Sequence, residues 1–158
     1  MTVRLWPATP EHFANLLAAA DPAEGITQAD TPIADDDVLA MLAGLAATIA
    51  SQFTPPAWLI IDEGRLVGLL SITALSEGVT LQIGYGVAMG ERGKGYAAAA
   101  VARLLDWARG DARVSAMYAE TRTDNIASQH VLERNAFVRI GERVDEEDGD
   151  LFCWRIDC

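Results

Sequence analysis

The chain has 158 residues, 51% hydrophobic and 22% charged, which points to one domain over 1–158 with its own core and excludes a disordered composition. With 12 Lys plus Arg against 23 Asp plus Glu, the net charge is -11, a field that repels a phosphate backbone and argues against nucleic acid as a partner. Residues 1–13 lack an apolar segment of signal-peptide length and no run nears the roughly 18 apolar residues that cross a bilayer, so a soluble, cytoplasmic protein without membrane contact is expected.

Residues 3–6 read as a short strand. Thr9-Pro10-Glu11 then joins a capping residue, a first-turn proline and a first-turn acid, which predicts a helix striped by Phe13, Leu16, Leu17 and Ala20. His12 falls on this helix and reads as a surface residue, as does His130 further on. Residues 21–34 break the pattern with prolines, a glycine and polar residues, the mark of a loop. Asp35, Asp36 and Asp37 open a second helix, where negative charge suits the N-terminal dipole, and Val38, Leu39, Leu42, Leu45 and Ile49 form its body. Pro55-Pro56 ends it.

From there the period changes. Residues 58–62 and 66–75 are β-rich and flank Asp62-Glu63-Gly64-Arg65, a hairpin signal. Ser76-Glu77-Gly78 predicts a second turn before a strand at 79–88. A loop at 89–94 leads into an Ala-rich helix at 95–109, followed by a strand at 114–120 and a helix at 125–134. Strands at 138–140 and 151–156, joined by an acidic turn, close the chain. Trp58, Trp107 and Trp154 read as packing residues, Cys153 as a strand residue and Cys158 as a tail thiol; the cysteine spacing matches no metal motif, and no metal is expected. Hairpins imply antiparallel pairing, and the strand–helix–strand unit at 79–120 implies a parallel right-handed crossover. The predicted fold class is α/β (α+β): one mixed, mostly antiparallel curved sheet of six or seven strands with helices on both faces.

The chemistry concentrates in Val87-Ala88-Met89-Gly90-Glu91-Arg92-Gly93-Lys94-Gly95-Tyr96-Ala97, which leaves a strand and opens a helix. Glycines at 90, 93 and 95 let backbone approach a ligand, and the first helical amides lack internal partners and carry the positive end of the dipole. With Arg92 and Lys94 beside them they form an anion site; the plain alternative is an ordinary strand–helix turn with solvated basic residues. A Walker loop needs Ser or Thr after its Gly-Lys, and Lys94 is followed by Gly95. The dinucleotide fingerprint fails too, because Ala98 stands in its last glycine position.

Arg92-Gly93-Lys94-Gly95-Tyr96-Ala97 resembles the Gln/Arg-x-x-Gly-x-Gly/Ala signature of the GNAT N-acetyltransferases. Asp124-Asn125-Ile126-Ala127-Ser128, with Val131-Leu132-Glu133-Arg134 and Phe137, is similar to that family's second motif, especially in the branch of ribosomal-protein N-terminal acetyltransferases. The resemblance implies a sheet splayed at the cofactor site, acetyl-CoA as cosubstrate, and direct acetyl transfer to a small-molecule or peptide primary amine in a ternary complex. It implies that Val87 and Met89 offer backbone groups to the pantetheine arm, that Arg92, Gly93, Lys94, Gly95, Tyr96 and Ala97 cradle the pyrophosphate, and that Asn125 bonds near the thiol end. Ser128 stands where an acid for the departing thiolate lies, although Asn125 and Ser128 also fit a plain helix cap. Glu120, at a strand end, is the first choice of base if partial burial raises its pKa; Gln82 stands where relatives often carry an acid. Tyr85 and Tyr118 read as packing residues with polar tips. Ala136 replaces the family's usual glycine, and Asn135 is expected to take the left-handed stop instead. Asp21, Glu24, Asp30 and Asp35 would together draw a cationic acceptor such as a polyamine, an aminoglycoside or a peptide N-terminus. Members often form homodimers. A CoA-binding regulatory module that has lost catalysis is the competing reading.

Overall fold

The computed structural model describes residues 1–76 and 79–158, so the turn expected at Ser76-Glu77-Gly78 lies in part outside the described residues. In chain order the elements are β1 (Val3–Pro7), α1 (Pro10–Leu17), β2 (Thr27–Gln28), α2 (Asp36–Ala50), β3 (Ala57–Asp62), β4 (Arg65–Ser76), β5 (Thr80–Val87), a 3-10 turn (Met89–Glu91), α3 (Tyr96–Arg109), β6 (Ala116–Arg122), α4 (Ile126–Arg134), β7 (Val138–Asp145) and β8 (Gly149–Asp157). The strands run β1-β3-β4-β5-β6-β8-β7 in one mixed sheet, with β2 pairing parallel to β4 off that path. Pairing is antiparallel throughout the main order except between β5 and β6, the predicted crossover. The described residues thus form eight strands where six or seven were expected. The extra one, β2, has only two residues.

The inner strands alternate between two apolar layers, as a sheet covered on both faces requires. On β3, Ala57, Leu59 and Ile61 join Phe13, Leu16, Leu39 and Ala46 from α1 and α2, while Trp58 and Ile60 join Val101, Leu104 and Leu105 from α3. Leu132 of α4 lies in the α3 layer. The tryptophans pack as expected, with Trp58 stacked edge-on against Trp107 at 5.1 Å between centroids. Trp154 is buried with its indole N–H on Thr121 Oγ1 at 3.0 Å.

Local signals explain most boundaries. Thr9 caps α1, but its partner corrects the reading of His12 as a surface residue. His12 is buried, and its Nδ1 accepts from the Thr9 amide at 3.0 Å while Thr9 Oγ1 accepts from the His12 amide at 3.2 Å. An imidazole thus takes the place of the usual Glu or Gln in a capping box. Glu63 and Gly64, at φ 49° and 79°, make the predicted two-residue hairpin turn.

The end of α4 departs from expectation. Asn135 keeps a negative φ of -96°, and Ala136 takes the left-handed stop at φ 65°. The amide of Phe137 donates to Leu132 O at 3.0 Å and that of Ala136 to Glu133 O at 3.1 Å, the two bonds of a Schellman ending. Asn135 is used otherwise, donating from Nδ2 to Ala98 O at 3.1 Å and tying α4 to α3. A left-handed alanine costs roughly 1 kcal/mol relative to glycine. Ala136→Gly should therefore raise the thermal midpoint by about 2–4 °C, measured by calorimetry.

Candidate functional site

The loop after β5 is held from below by a carboxylate. Ala88 is fully buried and its amide donates to Val67 O at 2.8 Å, which pins the chain to β4 before the 3-10 turn. Glu91, only 5% exposed, then receives Arg65 Nη1 and Lys94 Nζ, each at 2.8 Å. The Arg65 bond first, and the Lys94 bond second, hold its carboxyl down to about 2 against the opposing effect of burial. Lys94 thus turns to Glu91. Gly90 donates its amide to Thr31 Oγ1 at 2.9 Å, clasping the loop to the segment before α2, and Arg92 Nε donates to Val87 O at 3.3 Å.

Gly93 and Gly95 take φ of 78° and 86°, a region that disfavours side chains even where space is open. Gly95 caps α3, whose first internal bond runs from the Ala99 amide to Gly95 O at 3.1 Å. The amides of Tyr96, Ala97 and Ala98 therefore precede any helical partner and sit at the positive end of a 14-residue helix. The Tyr96 side chain turns inward, donating to Asp62 Oδ2 at 2.6 Å, so only its backbone is left for a ligand. A cleft of about 580 Å³ opens here, lined by Val87, Arg92, Gly93, Gly95, Ala97 and Asn125 among others. Free amides at the start of a helix beside an open cleft are a geometry that suits an anion. The cleft lining includes neither Lys94 nor Met89. Met89 is 71% exposed, with its carbonyl accepting from the Arg92 amide.

The cleft reaches the end of β5, where the sheet parts. β5 pairs with β6 only from Thr80↔Ala116 to Gln82↔Tyr118, and the ladder stops there. Because Ala88 faces β4, alternation leaves Val87 and Tyr85 directing their main-chain groups away from β4, toward the gap. Asn125 caps α4 with Oδ1 accepting from the Ser128 amide at 3.1 Å, so the cap reading holds, and the residue also lines the cleft. Ser128 Oγ lies 2.9 Å from the Tyr85 hydroxyl, and burial pushes that phenol above its ordinary value. Tyr85 is the residue that sequence reading undervalued: its partner lies 43 positions away, and no local pattern joins them.

Glu120 corrects an expectation. Its carboxylate accepts from Arg143 through both Nε and Nη2, the latter at 2.8 Å, and from the Tyr118 hydroxyl at 2.8 Å. The Arg143 bond outweighs burial and holds the pKa below the ordinary value, the reverse of the predicted rise. Neither this cleft nor the next is lined by Glu120.

On the α2 side of the sheet a second cleft of about 530 Å³ lies between residues 31–35, α2 and the β4–β5 floor. The two clefts share Tyr85, Gly86, Val87 and Arg92, so they meet at the end of β5. The acids of 21–35 do not line one cleft. Asp35 lines the second cleft, whereas Asp21 and Glu24 line a separate depression beside α1. Asp30 lines none of these three.

The family model for an acetyltransferase (GNAT) domain matches residues 2–138, so the chain belongs to the GNAT acetyltransferase family. No curated protein shows a significant match in sequence. Among solved structures, the fold is similar to that of the ribosomal L7/L12 α-N-protein acetyltransferase RimL in complex with coenzyme A, at TM-score 0.74 and 20% identity, covering 99% of this chain and 94% of that one. A chimera of the spermidine N-acetyltransferase SpeG from Vibrio cholerae gives TM-score 0.71 and 17% identity over 99% and 96% of the two chains. The microcin C7 self-immunity acetyltransferase MccE, in complex with acetyl-CoA and AMP, gives 0.69 and 14% over 99% and 92%.

The Glu91 cluster yields a pH prediction. A folded pKa depressed to about 2 contributes stability that is present above the unfolded carboxylate value and lost as pH falls through that window. Glu91→Gln should lower the thermal midpoint by several degrees near neutral pH, and the gap to the parent should shrink between about pH 4.5 and 2 in melts followed by circular dichroism.

Proposed function

We propose that the chain is an acetyl-CoA-dependent N-acetyltransferase that moves the acetyl group to a primary amine by direct attack in a ternary complex. The observation that carries this reading is the junction of the two clefts at the parted end of β5, one entered from the α3–α4 side and one from the α2 side. Two reactants brought in from opposite faces would meet there without an enzyme-bound acyl group, and neither cleft is lined by a cysteine. Holding them together is worth on the order of 7 kcal/mol or more. Acetyl-CoA, bound in the first cleft, supplies an activated acyl group.

The residues fit that cosubstrate. Amides from Gly93 to Ala98 would grip the diphosphate with the Arg92 guanidinium beside them. Tyr85 would pair its main-chain groups, and Val87 its amide, with the pantetheine arm, as a strand would. The Val87 amide would polarise the thioester carbonyl while its carbonyl stays with Arg92. Asn125 would donate from its amide group near the sulfur. The Ser128–Tyr85 hydroxyl pair would give the leaving thiolate its proton, a task suited to a phenol that burial keeps neutral. Glu120, ionised and saturated with donors, is a weak proton acceptor, so the amine proton would leave through water in the open second cleft. That same saturation, with Gln82 beside it, favours the rival reading of a CoA-binding module without catalysis.

Thiol release from acetyl-CoA with a panel of primary amines decides between them. Turnover is expected, with Ser128→Ala and Tyr85→Phe each lowering kcat about a hundredfold, the double variant no worse than either single one, and CoA affinity unchanged. Binding of CoA with no turnover on any amine would leave the regulatory module as the reading.

A further inference from the structure

The second cleft carries a chemistry of its own, and the choice of its occupant rests on the acetyltransferase reading of the site. Among the described residues that line it, only Asp35 and Arg92 are charged. Arg92 faces both clefts and is bonded to Val87 O, which leaves Asp35 as the one anion available to an occupant. Asp35 stands at the N-cap of α2 yet makes no side-chain capping bond, so its carboxylate is not consumed by the helix. Ile33, Val38, Leu42 and Leu69 supply the aliphatic part of the wall.

A second polar feature points the same way. Ser71 lines the cleft and is only 5% exposed, and its hydroxyl has no hydrogen bond among the described residues. No fully enclosed polar side-chain atom goes unpartnered among those residues, so this hydroxyl keeps an opening, and the cleft is what Ser71 lines. A largely buried hydroxyl that opens on an apolar cleft is a handle for a polar atom of whatever enters. The other hydroxyls of the lining, on Thr31, Thr73 and Tyr85, are engaged with Gly90, Gln82 and Ser128. One carboxylate, one hydroxyl left without a hydrogen bond among the described residues and a branched aliphatic wall within about 530 Å³ match a small molecule carrying a single amine. A polyamine or an aminoglycoside would bring further cations to face leucine and isoleucine, with no counter-charge to offset their desolvation. The other acids of the 21–35 segment do not reach this cleft.

We propose that the acceptor is a small primary monoamine on an aromatic or branched aliphatic body. Asp35 draws the ammonium form into the cleft, Ser71 bonds a polar atom of the amine, and Leu42 and Leu69 select the apolar body. The ammonium gives one proton to water; its nitrogen then bonds to the acyl carbon and gives up a second proton to water as the carbon–sulfur bond breaks. The departing thiolate takes one proton from the Ser128–Tyr85 pair, which water re-protonates, so the products are an amide, a free thiol and one net proton.

The test compares kcat/KM at saturating acetyl-CoA for phenethylamine, isoamylamine, spermidine, kanamycin and a peptide beginning with leucine. Phenethylamine or isoamylamine should exceed spermidine and kanamycin by about tenfold or more. Asp35→Asn should raise KM for phenethylamine about tenfold while CoA affinity, read by calorimetry, stays unchanged. Val38→Asp, at a position 42% exposed that tolerates a charge, adds a second carboxylate to the wall and should narrow the preference over spermidine. Spermidine, kanamycin or the peptide outrunning both monoamines overturns the substrate class and leaves the acetyltransferase reading intact. Failure of every amine to react overturns both.

Discussion

Three residue pairs hold β5 to β6, and the proposed function depends on the opening past the point where that ladder stops. Backbone N–H and C=O groups are obligatory bonding groups, and a strand that loses its neighbour inside a sheet must find another partner. Beyond Gln82 the neighbour is gone, while Ala88 is still clamped to Val67 on the other side. β5 is thereby held rigidly along one edge and left open along the other. An extended chain of amide groups would fill such an opening as a strand does, which is how the proposed function links a break in pairing to a choice of cosubstrate.

The same economy governs the charges. The protein is strongly acidic overall, so an anion site needs local shielding from the general field. The loop supplies it with main-chain amides rather than with many cations. Of its two basic residues, Lys94 is turned to Glu91, and Glu91 is in turn held by Arg65 from the start of β4. The ion-pair cluster therefore shapes the loop, and the amides at the start of α3 are the groups left facing the cleft. Tyr96 completes the arrangement by fastening the first turn of that helix to Asp62 at the end of β3.

What could be read from the sequence was whatever neighbouring residues decide among themselves. The Gly93-Lys94-Gly95 turn, the Glu63-Gly64 hairpin and the Thr9 cap are each set by backbone preferences within a few positions, and each lies where those preferences put it. The antiparallel hairpins and the parallel crossover followed from connection rules, whereas the seat of β8 between β6 and β7 did not. Hidden features depend on distant partners. Glu91 looks like any loop acid until Arg65, 26 positions earlier, is brought beside it. Glu120 was expected to gain basicity from burial, and Arg143 on the edge strand reverses the sign. β7 runs to Asp145 rather than stopping at Ile140, because a strand exposed on both faces has no apolar alternation to read. β2 exists only through its pairing with β4. His12 escaped because a histidine at the third position of a helix was read by its usual exposure rather than by the acceptor on its ring.

The central claim is that free amides at the start of α3 hold the diphosphate of coenzyme A beside the open edge of β5. Calorimetric titration of CoA into the parent and into an Arg92→Glu, Gly95→Asp double variant tests it most directly, since two carboxylates at that turn repel an anion and aspartate tolerates the left-handed backbone better than most residues. Saturable uptake by the parent, weakened about a hundredfold or more in the variant, is the predicted result. Absence of uptake by the parent, or equal uptake by both proteins, would contradict the account.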